Sequence, residues 1–167
     1  MEPLCTSFAP VADAASRVLV LGSMPGVASL AAGQYYAHPR NAFWPLVYAL
    51  WGEDAPADYP ARLAFLRAHR IALWDVARTC LREGSGDAAI HAAQPNGLPA
   101  LFAHCPGIHT ICCNGQTAAA LLARLLPGAC GARTILRMPS TSPAYTLPFD
   151  TKLAAWRALR EAAEREA

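Results

Sequence analysis

Apolar positions along this chain fall into two kinds of pattern that alternate. Arg17 to Gly22 reads RVLVLG, a continuous apolar run closed by glycine, and predicts a short strand buried on both faces. Residues 71–76 (IALWDV), 108–113 (IHTICC) and 134–138 (TILRM) predict three further strands. Between these runs the apolar spacing becomes helical. Phe43, Trp44, Val47, Tyr48 and Trp51 share one face, and Gly52 stops the helix. Further helices are predicted over 59–70, 98–104, 116–126 and 151–166. Residues 53–60, with three acids and two prolines, read as a loop. Residues 79–96, including REGSGDAAI, read as a long, partly ordered connection.

Strands alternating with helices predict a three-layer α/β/α fold around a central, mainly parallel four-stranded sheet. The chain reads as one domain over residues 1–167, with no repeat. Ligands of such sheets sit beyond the carboxyl ends of the strands. That rule gathers four segments on one rim: 22–26 (GSMPG), Asp75, Asn114–Gly115 and 139–144 (PSTSPA). They hold most of the unusual polar chemistry.

Composition narrows the class. Apolar residues make up 54% and charged residues 16% of 167, ample for a core. No apolar run reaches the ~18 residues of a membrane span, and residues 1–16 lack a basic segment followed by a long apolar one. The expectation is a soluble cytoplasmic protein with no membrane partner. The net charge of +2 neither announces nor excludes nucleic acid. The basic residues are nearly all arginine, which suits phosphate and base edges, though a GC-rich genome gives the same bias. Six cysteines show no CxxC or Cys/His spacing, so no metal is expected and the thiols are read as reduced and buried. GSMPG is neither GxGxxG nor a P-loop, so no nucleotide cofactor is expected.

The most specific stretch is QYYAHPRNAFW, residues 34–44. A tyrosine face can stack on a flat base. Asn41 either caps the helix behind it or holds a water or a base edge. His38 is either an acid–base group or a partner of the backbone near Pro39, and Arg40 either meets phosphate or is a solvated charge. Asp75 needs partners wherever it is buried. Asn114 before Gly115 fits a turn, and PSTSPA offers small hydroxyls that can lie against phosphates.

Taken together, LVLGSMPG (19–26), QYYAHPRNAFW (34–44), ALWDV (72–76), GSGD (84–87), CNGQTA (113–118) and PSTSPA (139–144) resemble the uracil-DNA glycosylase superfamily. The hypoxanthine-DNA (DNA-deoxyinosine) glycosylases are the nearest group within it. The resemblance spans roughly residues 17–160. It implies a monomeric base-excision-repair enzyme, associated with the nucleoid, that needs no cofactor. Such an enzyme flips a deaminated base, hypoxanthine, out of DNA and hydrolyses its N-glycosidic bond. An abasic-site endonuclease would act downstream.

The same resemblance puts Met24 and Met138 where uracil enzymes carry catalytic polar residues. It moves the catalytic role to Asn41. It makes Gly22, Ser23, Met24, Tyr36, Phe43, Asp75 and Asn114 the base pocket, with Tyr36 stacking on the base and Asp75 at its edge. His38, Arg40, Ser140, Thr141, Ser142 and Pro143 would contact DNA, and Tyr145 would take the place of a leucine wedge. Lys152, the sole lysine, sits on the closing helix and is read as lying away from the rim. A lyase needs an amine to form a Schiff base, so a monofunctional enzyme is expected. The competing readings are a uracil or mismatch glycosylase, a lesion-binding module that does not cut, and a generic small-molecule α/β protein.

Overall fold

A computed structural model of the protein describes residues 2–166. In chain order its elements are β1 (Leu4–Thr6), β2 (Val18–Gly22), α1 (Val27–Ala32), α2 (Phe43–Leu50), α3 (Tyr59–Ala68), β3 (Ile71–Asp75), β4 (Ala77–Leu81), β5 (His91–Pro95), α4 (Leu98–His104), β6 (Thr110–Asn114), α5 (Gln116–Leu125), β7 (Thr134–Met138) and α6 (Phe149–Glu164). A single 3₁₀ turn, Asp87–Ala89, precedes β5.

The four apolar runs form one parallel sheet in the order β3-β2-β6-β7. Each strand of the inner pair, β2 and β6, is buried along its whole length, as continuous apolar runs require. One core layer packs Phe43, Trp44, Leu46 and Val47 of α2 and Trp156 and Leu159 of α6 on one face. A second packs Leu98, Leu101 and Phe102 of α4 and Leu121 and Leu122 of α5 on the other. Helices thus cover both faces, in three layers. All six cysteines are free and buried; burial pushes the Cys112 thiol up to about 12 and that of Cys113 to about 11.

Two stretches depart from the sequence reading. Residues 79–96 are not a loose connection. β4 and β5 pair antiparallel, β1 pairs with β4, and the three make a second sheet, ordered β1-β4-β5. These strands are polar and half exposed, with a register shift on either side of Thr79, so no clean alternation marks them in sequence. The GSMPG turn also leads directly into α1, closed by Gly33 in the left-handed conformation.

The second sheet positions the site. Its β4–β5 loop folds back over GSMPG: the Ser85 hydroxyl accepts from the Val27 amide at 2.8 Å, and Arg82 Nη2 donates to the Pro25 carbonyl at 2.6 Å. Gly26 makes room, since a Cβ there would come within 3.3 Å of Ser85 Oγ.

Candidate active site

The carboxyl ends of β2, β3, β6 and β7 are Gly22, Asp75, Asn114 and Met138, and all four line one cavity of about 830 Å³. Three of the rim segments close it, together with α1, the loop before α2, and the β4–β5 loop.

The loop before α2 is held by its own polar groups. Asn41 Oδ1 accepts from the Phe43 amide at 2.9 Å. The amide orientation follows from that donor, so Nδ2 is left to donate into the cavity. Asn41 therefore caps the turn and lines the site at once. The Ala42 amide donates to the Thr141 carbonyl at 2.9 Å, tying this loop to PSTSPA. Tyr36 has a φ of 55°, a left-handed conformation costly for a bulky residue. It is stabilised by stacking on Phe43, with ring centroids 4.1 Å apart and planes 24° apart. One face of Tyr36 is thus covered from behind, and the ring stands as a platform in the cavity.

Asn114 is a strut. Its Oδ1 accepts from the Thr141 amide at 2.9 Å, and its Nδ2 donates to the Tyr36 hydroxyl at 3.2 Å and to Thr141 Oγ1 at 3.0 Å. Gly115 beside it has a φ of 98°, and a Cβ there would come within 3.1 Å of Ser140. Glycine is needed for both reasons.

Asp75 is 4% exposed. Its Oδ2 is buried without a hydrogen-bond partner among the described residues, and its Oδ1 lies against Gly22, where any side chain would collide with it. Loss of hydration raises its carboxyl to about 7; the Arg82 charge opposes this and the Asp87 charge adds to it. Burial, with the Asp75 charge second, also pushes the Tyr36 phenol up, so it is a neutral hydroxyl. Arg82 is fully buried, with Nε and Nη1 unpartnered among the described residues.

The structure brings together most residues singled out by sequence. Gly22, Ser23, Met24, Tyr36, Asp75, Asn114, Asn41, His38, Ser140, Thr141, Ser142 and Pro143 all line the cavity. Three expectations change. Phe43 is fully buried behind Tyr36 and does not line the cavity; it supports the ring that does. The Thr141 hydroxyl is buried and bonded to Asn114 rather than presented to a phosphate. Lys152 does not lie apart from the rim: it is buried, its Nζ donates to the Ser142 carbonyl at 3.2 Å, and it sits 5.5 Å from the centre of the Tyr145 ring. Arg40 is exposed outside the cavity, its amide donating to His38 Nδ1 at 3.1 Å.

Sequence reasoning did not assign a site role to Ser85 and Asp87, which line the cavity beside GSMPG. The Ser23 hydroxyl donates to Asp87 Oδ1 at 2.7 Å. The signal was the GSGD string, whose place beside GSMPG depends on the second sheet. Among the described residues no cluster of three or more metal-binding side chains occurs, and no helix is long and apolar enough to cross a membrane.

Comparison with known proteins bears on the fold and the family. Residues 9–161 match the family described as the uracil DNA glycosylase superfamily. The chain is 38% identical over 110 residues to a hypoxanthine DNA glycosylase of Methanosarcina barkeri, covering 65% of this chain and 70% of that protein. It is 38% identical over 112 residues to one of Methanosarcina acetivorans, covering 66% and 71%. The solution NMR structure of a Methanosarcina acetivorans protein, described as a candidate uracil DNA glycosylase, superposes with a TM-score of 0.83. The two are 32% identical over 98% of this chain and all of that one. The chain belongs to the uracil DNA glycosylase superfamily and is a DNA glycosylase, a hydrolase of N-glycosyl bonds.

Proposed function

We propose that the enzyme excises hypoxanthine from deoxyinosine in DNA, as a monofunctional glycosylase that flips the nucleotide into the cavity. The observation that carries this reading is the Asp75 carboxyl at the closed end of the cavity, beside the Tyr36 platform, in a chain 38% identical to two hypoxanthine DNA glycosylases. Hypoxanthine presents an N1–H donor next to an O6 acceptor. Either protonation state of Asp75 accepts from N1–H, and the neutral acid also donates to O6. Adenine presents a lone pair at N1 instead, which an ionised Asp75 repels. The ionised carboxylate therefore separates the deaminated base from its parent, whereas the neutral acid pairs with either. Stacking on Tyr36 adds ~1–3 kcal/mol and offsets part of the few kcal/mol that flipping costs.

The glycosidic bond breaks with charge building on the departing purine. Asn41, with Oδ1 held by the Phe43 amide, offers Nδ2 as a fixed donor to that charge or to the nucleotide's oxygens. The half-buried Ser142 and Pro143 and the exposed Tyr145 are the groups placed to meet the DNA strand.

The test is an alkali-developed cleavage assay on oligonucleotides carrying one inosine, uracil or xanthine. Inosine is expected to be cut fastest, and Asn41→Ala to cut it about 10²-fold more slowly, the scale for losing one preorganised donor. Faster release of uracil overturns the base assignment. An Asn41→Ala rate within a few fold of wild type overturns the role of Asn41. Strand breakage without alkali overturns monofunctional action.

A further inference from the structure

Hydrolysis of a glycosidic bond needs an acceptor: a group that orients the attacking water, takes its proton and offsets positive charge on the sugar. Many of the polar side chains in this cavity are already engaged in hydrogen bonds within the protein. Asn41 Oδ1 takes the Phe43 amide, and Asn114 Oδ1 takes that of Thr141. The Thr141, Ser140 and Ser142 hydroxyls accept from Asn114, the Ser142 amide and the Ala144 amide. The Ser29 and Ser85 hydroxyls accept from the Ala37 and Val27 amides. His38 Nδ1 accepts from the Arg40 amide, so its neutral ring presents Nε2–H, a donor. Met24 and Met138 bring only thioethers.

Two carboxylates remain among the described lining residues, Asp75 and Asp87. Their surroundings differ sharply. Asp75 is closed in at the base end of the cavity, with one oxygen wholly buried. Asp87 is exposed on the cavity wall, with Oδ1 fixed by the Ser23 hydroxyl at 2.7 Å, directly beside the GSMPG turn. It is close enough to the Tyr36–Asp75 corner for its charge to be felt at both residues.

We infer that Asp87, carried in by the β4–β5 loop and held by Ser23, is a catalytic residue that orients and deprotonates the attacking water and offsets charge on the sugar. In the step, the C1′–N9 bond breaks and its electron pair leaves with the purine. The water oxygen bonds to C1′. One water proton passes to the Asp87 carboxylate and on through solvent to the purine, leaving a neutral base and an abasic sugar bearing a hydroxyl at C1′. The oxygen of Asp87 not held by Ser23 is the one that meets the water. The ionisable groups at which the Asp87 charge is felt are Asp75 at the end of β3 and Tyr36 in the loop before α2.

The inference rests on the hydrolytic reading of the site, not on the base it prefers. Its test is therefore run on whichever of the inosine, uracil and xanthine oligonucleotides the wild type cuts. Asp87→Asn keeps an acceptor for Ser23, so the wall stays in place while the base is lost. Single-turnover cleavage by Asp87→Asn is expected to fall about 10²-fold or more, the range for losing a general base. Binding to an oligonucleotide with a 2′-fluorinated, uncleavable inosine should stay within about threefold. The acidic limb of the wild-type pH–rate profile should flatten in the variant. Ser23→Ala, which frees the side chain without removing the carboxylate, is expected to lose less than Asp87→Asn. An Asp87→Asn rate within about threefold of wild type overturns the inference. So does a rate loss matched by an equal loss of binding. If wild type cuts uracil or xanthine but not inosine, the base assignment fails while the Asp87 comparison still decides this point. Release of none of the three overturns both.

Discussion

Asp75→Asn isolates what it costs this protein to keep a carboxyl in its site. Burial moves that carboxyl from 3.8 to about 7. Between those values the folded protein holds a proton that the unfolded chain has released. Stability from this group is therefore fully present below about pH 4, falls as pH rises, and is gone above about pH 7. A displacement of that size corresponds to roughly 4 kcal/mol, at about 1.4 kcal/mol per pH unit. Asparagine has nearly the same shape and no proton to lose. At pH 4.5 the variant should match wild type to within about 1 kcal/mol. At pH 8 it should be more stable by about 3–4 kcal/mol, or close to 10 °C in Tm for a chain of this length. Urea unfolding across pH 4–9 reads both curves. Parallel curves, or a variant that is less stable than wild type at pH 8, would refute the reasoning that Asp75 is a desolvated, unpaired carboxyl. The gain would also mark Asp75 as kept for recognition at the expense of stability.

Two further outcomes follow from the same network. Asn114→Ala leaves the buried Thr141 amide without its acceptor and frees the Tyr36 hydroxyl, so a loss of about 2 kcal/mol in urea unfolding is expected, with weaker binding to inosine DNA. Lys152→Met removes the donor to the Ser142 carbonyl while keeping the buried stem, so KM for DNA should rise several-fold with kcat nearly unchanged; an equal fall in kcat would place Lys152 in the chemistry instead.

How much of this was readable beforehand varies with the kind of interaction. β2, β3 and β6 announce themselves because strands covered on both faces carry largely apolar runs, and the rule about carboxyl ends then places Gly22, Asp75 and Asn114 together with Met138 at the end of the exposed edge strand β7. The second sheet was illegible: ARTCL and HAAQP are polar and half exposed, and β1 is three residues paired with a strand more than seventy positions away. Asp87 was lost with it, because only that sheet carries the β4–β5 loop to Ser23. Phe43 enters the expected pocket through the resemblance, and nothing local in QYYAHPRNAFW separates the ring that faces the cavity from the ring stacked behind it. Asn41 offered capping and a ligand contact as alternatives, whereas its Oδ1 holds the Phe43 amide while the residue also lines the cavity.

The buried thiols bear on the setting in which a repair enzyme works. Nitrosating and oxidising agents attack cysteine as the thiolate, and access decides which cysteines react. With Cys112 at about 12 and Cys113 at about 11, both inside β6 next to Asn114, the thiolate fraction at neutral pH is on the order of 10⁻⁴ or less. The strand that carries the Asn114 strut is thus chemically quiet.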